Sequence, residues 1–276
     1  MEDSPGFLFT CCQRGAEGVL KAELMRLDGG LRPAYSRPGF VTFKITRADP
    51  SIPWSTGGAF DLPSVFARSY GYCLGKLEGL RAESLADSFW RLAGDLEPAI
   101  LHVWQRDVAL PGERGFEPGI SPLAEEMAGL IIARRPAEAA GDAPRVNRPA
   151  RSGQRVLDCI LVEPGEWWVG WHEALALPTC WPGGVYRAGR PQPGKVSRAY
   201  LKMKEALAWS RLPVKPGDGC VEIGSSPGGS CQALLDRGLV VTGIDPAEMD
   251  PQVLEHPRFR HIRKRAADLK RREFRD

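Results

Sequence analysis

The chain has 276 residues, enough for two domains or three small ones, with 43% apolar and 26% charged residues and a net charge of +3. That is the composition of an ordinary globular protein; it excludes a low-complexity or collagen-like chain, and no run of about 18 apolar residues marks a membrane span. Seven cysteines without a C-x-x-C pair, beside only four histidines, argue against a zinc site or a disulfide framework and predict a reducing, cytoplasmic setting.

The first ten residues, MEDSPGFLFT, are acidic and lack a long apolar core, so no secretory signal is expected. FLFTCC reads as a short strand, GAEGVLKAELMRL as a helix with Val19, Leu20, Leu24 and Leu27 on one face, and GFVTFKI as a second strand by its alternation. This is the start of a small α+β domain. FARSYGYCLGKLEGL reads as a strand or turn and ESLADSFWRLAGDL as a helix; residues 110–122 are Gly/Pro-rich loop, and LAEEMAGLIIARR is an amphipathic helix. Residues 136–154 read as loop. RVLDCILVEPGEWWVGWHEA then reads as a strand pair turning at Pro164–Gly165. Trp167, Trp168 and Trp171 in that pair fit either base stacking or core packing, and adjacency within a strand favours the core. LPTCWPGGVYRAGRPQPGK, with four prolines and no periodicity, is expected to be an interdomain linker.

The C-terminal third carries the chemistry. Residues 218–245, DGCVEIGSSPGGSCQALLDRGLVVTGID, read as strand, glycine turn, helix, strand and acid. The turn lacks the Gly-Lys-Ser/Thr of a nucleotide-triphosphate loop, and the G-x-G-x-x-G dinucleotide fingerprint fails because Ser226 stands where its middle glycine is needed. NTP hydrolysis and an NAD-dependent oxidoreductase are thereby disfavoured. Gly224 lets the chain fold sharply; Ser226 is expected as the helix N-cap with Pro227 at the first helical position; Gly228 and Gly229 are expected to let a ligand approach the backbone; Gly238 ends the helix. Glu222, inside the first strand, is expected to aim its charge at the crevice or at a loop amide. Asp245 follows the turn by about twenty residues, the spacing at which a carboxylate accepts hydrogen bonds from a ribose diol. Six basic residues and no acidic one lie between Arg187 and Lys204, and nine basic against three acidic between Arg258 and Asp276. Such clusters are solvated faces or sites of phosphate neutralisation, and their position beside the turn favours the second.

EIGSSPGGSCQ resembles the S-adenosylmethionine loop of FtsJ-like ribose 2′-O-methyltransferases, and SRAYLKMKEAL, upstream of it, is similar to that family's S-R-A/S-x-x-K-L-x-E helix. FLFTCCQRGAEGVLKAEL and EWWVGWHEALALPTCWPGGV resemble the N-terminal RNA-binding region of the RlmM type, which modifies a cytidine of large-subunit ribosomal RNA. The resemblance implies an α/β chain in three parts: a ferredoxin-like α+β domain over 1–95, a THUMP-like RNA-binding domain over 96–185, and a Rossmann-like methyltransferase domain from 186 to 276. It implies S-adenosylmethionine as cofactor, RNA as partner, and neither a metal nor a membrane. By motif position, Ser226, Pro227, Gly228 and Gly229 would line the methionine and ribose, with Glu222 and Gly224 framing the turn. Asp245 would hold the ribose hydroxyls, and Asp268 would contact the adenine amino group. Lys202 matches the first lysine of the family's Lys-Asp-Lys-Glu catalytic set, whereas Lys204 falls where the family has another residue type. The other three members come from strands after the third, which no position here matches, and a complete domain of this kind has about seven strands. An incomplete catalytic domain is therefore expected, the alternative being a non-catalytic RNA-binding protein or a truncated remnant. Oligomeric state is not assigned.

Overall fold

The computed structural model describes residues 6–27, 30–47, 49–139, 141–175, 177–187 and 194–270. Arg190 and residues 271–276 of the two basic clusters, and part of the expected linker, lie outside them. The chain divides into two compact units, residues 1–186 and 187–276.

The first unit runs β1 (Phe7–Cys11), α1 (Glu17–Arg26), β2 (Leu31–Arg37), β3 (Phe40–Ile45), β4 (Ser69–Glu78), α2 (Ala82–Ala93), β5 (Ile100–Gln105), α3 (Pro122–Ala133), β6 (Arg145–Val146), β7 (Arg155–Glu163), β8 (Glu166–Glu173) and α4 (Leu177–Cys180). The strands form one sheet in the order β2-β3-β1-β4-β8-β7-β5-β6, antiparallel except where β5 meets β6 and β7. Alternation sorts the side chains. Leu101, Val103, Leu157, Cys159, Trp167 and Val169 face α2 and α3, whose Leu85, Phe89, Trp90, Met127 and Ile131 complete that core. Leu20 and Leu24 of α1 pack on Leu8, Val41, Phe43, Tyr70 and Tyr72, while Val19 of the expected helical face is half exposed. Ser121 caps α3 by accepting from the Ala124 N–H at 3.2 Å, with Pro122 next in the chain. On the other sheet face Phe9 lies where side chains at Gly71 and Gly170 would be, so both glycines are demanded by packing.

Trp167 is buried, Trp168 stacks near Tyr35 and Phe40 at 4.8 and 5.5 Å, and Trp171 contacts Tyr72 at 5.0 Å. All three belong to core packing. The linker expectation needs correcting. Thr179 and Pro182–Gly184 are buried, and the Gly183 carbonyl accepts from Arg68 Nε at 2.9 Å, so the segment up to residue 184 is part of the first unit. Prolines and glycines there mark a tight packed turn, which composition alone does not separate from a linker.

The second unit runs α5 (Ala199–Ser210), β9 (Gly219–Ile223), α6 (Gly229–Asp236), β10 (Val240–Ile244), α7 (Pro251–Leu254) and β11 (Phe259–Ile262). Its parallel sheet has the order β11-β10-β9, with β10 central, which is the Rossmann-like arrangement of a β-α-β-α-β half. α5 and α6 pack together on one face through Leu207, Cys231, Leu234 and Leu235 over Val241. On the other face Val221, Ile223 and Val240 are 47%, 66% and 44% exposed, which is unusual for parallel strands.

Candidate functional site

The C-terminal ends of β9 and β10 are tied together by backbone groups. The N–H groups of Gly224 and Ser225 both donate to the Ile244 carbonyl, at 2.9 and 3.4 Å. Gly224 has φ +78, a left-handed conformation, and a side chain there would meet open space. Its glycine thus serves the turn, as expected.

Asp245 is the centre of the arrangement. One carboxylate oxygen accepts from the Ser226 N–H at 3.1 Å and the other from the Ala247 N–H at 2.8 Å. Ser226 Oγ donates to the Glu248 carbonyl at 2.7 Å, and the Asp250 N–H donates to the Pro227 carbonyl at 2.9 Å. The turn after β9 is thereby held against the loop after β10. Each carboxylate oxygen keeps a further lone pair, so Asp245 is both fixed and able to accept from a bound diol.

Ser226 and Pro227 do not take the expected places at the helix start. α6 begins at Gly229, its N-cap is Gly228 at φ +118, and no side chain caps it. The Ser226 hydroxyl is spent on Glu248 instead. The two glycines are also required by packing. A side chain at Gly228 would approach Val253 Cγ2 to 2.8 Å and Met249 Cε to 3.1 Å, and one at Gly229 would collide with Ser197 Oγ and come within 3.0 Å of the Tyr200 nitrogen. They let α7 and α5 close onto the turn.

Glu222 is half-buried on β9, on the face of Cys220 and toward α6. Burial, with Glu222 adding to it, pushes the Cys231 thiol up to about 12. Asp268 lies in a short 3-10 turn over Ala266–Asp268 after β11, exposed, its N–H donating to the Arg265 carbonyl at 3.0 Å. Asp245 and Asp268 therefore follow the C-terminal ends of neighbouring strands, the edge at which open α/β sheets bind ligands.

Lys202 is exposed on α5. That helix is docked on α6, where the Tyr200 hydroxyl donates to Asp236 Oδ2 at 2.7 Å. The hydrogen bond to this carboxylate, with burial, raises the Tyr200 pKa to about 12. Lys195 and Lys204 stand 4.9 and 5.5 Å from the Tyr200 ring centroid, so Lys204 is occupied in a cation–π contact. Sequence reasoning passed over Ser225, Tyr200, Gln232 and Asp236. Ser225 is buried with its hydroxyl 3.6 Å from Met249 Sδ; the others link α5 to α6. The signal available for them was an i, i+4 spacing of Gln232 and Asp236 on one face of the short α6.

The FtsJ-like methyltransferase family matches residues 195–275. The chain is 33% identical over 282 residues to the ribosomal RNA large subunit methyltransferase M of Methylococcus capsulatus, covering 94% of this chain and 72% of that protein. It is 27% identical over 266 residues to the protein of the same name from Halorhodospira halophila, covering 91% and 69% respectively. A third relative of that name, from Laribacter hongkongensis, is 31% identical over 155 residues, or 54% of this chain and 39% of that protein.

Proposed function

The chain belongs to the ribosomal RNA large subunit methyltransferase M family, and from that premise we propose that the protein transfers a methyl group from S-adenosylmethionine to a ribose 2′-hydroxyl of large-subunit ribosomal RNA. The observation that carries this reading is Asp245, pinned by two backbone amides at the end of the central strand with acceptor capacity to spare. The residues fit the cofactor: a diol-accepting carboxylate, a turn with open space at Gly224, and a second acid, Asp268, after the next strand.

In this reading Asp245 accepts from the ribose hydroxyls and Asp268 from the adenine amino group. Ser226, Pro227, Gly228 and Gly229 form the wall beside the methionine and ribose, with Glu222 and Gly224 framing it from β9. S-adenosylmethionine supplies an electrophilic methyl on a sulfonium. A ribose hydroxyl is a weak nucleophile, so attack on that methyl needs the oxygen deprotonated and held in line. Lys202 is the residue of this chain assigned to the catalytic set, as its first lysine; the set's second lysine, the proton acceptor, has no match here. A free lysine is protonated near neutrality, so a lysine base needs neighbouring charges or burial, and the lysines and carboxylates of the set tune one another. The remaining residues of the family's catalytic set have no match here, and the full activity is assigned to the whole protein.

The division of the first unit into a ferredoxin-like part over 1–95 and a THUMP-like part over 96–185 belongs to the same proposal, as do RNA binding by that region, a methyltransferase domain from 186 and a cytoplasmic setting. Arg258, Arg260, Arg263, Lys264 and Arg265 are the cations assigned to the RNA backbone. Among the described residues no helix is long and apolar enough to cross a membrane.

The test is transfer of a labelled methyl from S-adenosylmethionine to large-subunit ribosomal RNA followed by alkaline digestion. A 2′-O-methyl ribose blocks cleavage at its own 3′ phosphate, so the expected product is a labelled, alkali-resistant dinucleotide. In the whole protein, Lys202→Ala should abolish that product and leave the affinity for S-adenosylmethionine nearly intact. Label on a base, or turnover unaffected by Lys202→Ala, would contradict the assignment.

A further inference from the structure

Gln232 lies in the first turn of α6, three residues after Gly229. Both ends of its side-chain amide are engaged by the segment that leads into α5. Oε1 accepts from the Val196 N–H at 3.1 Å, and Nε2 donates to the Gly194 carbonyl at 2.8 Å. Of the side chains, only an amide offers a donor and an acceptor side by side, and Gln rather than Asn has the reach to span two backbone groups two residues apart. Val196 packs against the core of the second unit. Ser197 Oγ then accepts from the Ala199 N–H at 3.3 Å, and α5 starts with Lys202 in its first turn.

Two further contacts join the same pair of helices: Gly229 against Ser197 and Tyr200, and the Tyr200–Asp236 hydrogen bond. Lys202 is exposed, so its place is set by the backbone of α5. The place of α5 is set in turn by α6, the helix that grows out of the Gly224–Gly229 turn. We infer that Gln232 is a positioning residue for Lys202: its amide registers the entry of the Lys202 helix to the helix that begins at the cofactor turn, so that Lys202 and the methyl donor are presented as one unit. This rests on the proposed role of Lys202.

Two variants separate the interaction from folding. Gln232→Met keeps the length and removes both hydrogen bonds; Gln232→Glu keeps the acceptor for Val196 and sets a second oxygen against the Gly194 carbonyl. In the whole protein carrying Gln232→Met, amide exchange at Val196 should quicken about tenfold, kcat for methyl transfer should fall about tenfold, and the Kd for S-adenosylmethionine should stay within about twofold. Gln232→Glu should lower kcat in the same direction by a smaller factor. Wild-type exchange at Val196, an unchanged kcat, or a Kd that weakens in step with kcat would each overturn the inference. Unchanged turnover in Lys202→Ala alone would remove the role of Lys202 and this one with it, whereas failure confined to the Gln232 variants leaves the Lys202 reading standing.

Discussion

In residues 1–186 the charged groups that leave solvent are matched with each other. Asp107, with its side chain 2% exposed, takes a bidentate contact from Arg68 at 2.7 and 2.8 Å. Asp158 accepts from His172 Nδ1 at 2.7 Å and from Trp104 Nε1 at 3.2 Å, while the His172 Nε2 proton goes to the Thr179 carbonyl at 2.7 Å. In residues 187–276 Asp245 is only partly buried and holds a capacity no protein group uses up, and Lys202 and Asp268 stand at the surface. A buried charge pair that is fully satisfied has nothing left to offer a substrate, and its value lies in what breaking it would cost. Groups fixed by backbone amides yet open to solvent at strand ends are the ones able to do chemistry. The contrast gives the first set a structural role and leaves the second free for the binding role proposed for it.

The strongest way to break this contrast is Asp107→Ala. It strands the Arg68 guanidinium in the first unit, with an expected loss of about 3–5 kcal/mol in stability. Seven of the eight tryptophans precede residue 187, so fluorescence-monitored denaturation reads that unit almost alone. S-adenosylmethionine affinity should not follow the stability loss. Gly229→Ala should do the reverse: overpacking against Ser197 and Tyr200 should cost about 1–3 kcal/mol, and titration with S-adenosylmethionine should weaken, while the tryptophan-monitored transition stays in place.

The gentlest probe is pH. Burial alone would lower the His172 pKa, but the Asp158 carboxylate and the Thr179 carbonyl outweigh it and raise it above its ordinary value. Its stabilisation is complete below the unfolded value of about 6.5 and is lost as pH rises through the folded one. Burial lowers the His102 pKa to about 4, the fold therefore keeping that ring neutral. Stability is accordingly lost as pH falls below about 6.5 toward that value. Tryptophan-monitored stability should peak near the ordinary histidine range, with His172→Gln flattening the alkaline limb and His102→Gln the acidic one.

Much of this was legible in the sequence. The helices at 82–93 and 122–133, the hairpin at Pro164–Gly165 and the strand–turn–helix–strand at 219–244 follow from periodicity and turn chemistry. β2 was not, because LRPAYSR is a polar edge strand carrying Pro33 and a register shift, so it never alternates. β5 was missed because ILHVWQ buries both faces, His102 included, and leaves no period to read. Gly224 takes the turn conformation expected of it and Asp245 follows the end of β10, because both positions are dictated locally. The N-cap falls at Gly228 instead of Ser226, and the packing of α5 and α7 against Gly228 and Gly229 was not legible, because it comes from distant parts of the chain.

The account turns on Asp245 as the anchor of a methyl-donor site. Calorimetry of the wild type and Asp245→Ala with S-adenosylmethionine, S-adenosylhomocysteine and NAD tests this most directly. The account predicts binding of the first two by the wild type, no comparable binding of NAD, and a loss in Asp245→Ala of one or two charge-assisted hydrogen bonds, each worth about 1.5–3 kcal/mol. Tight NAD binding with no response to the methyl donor, or equal affinity of wild type and variant for S-adenosylmethionine, would contradict it.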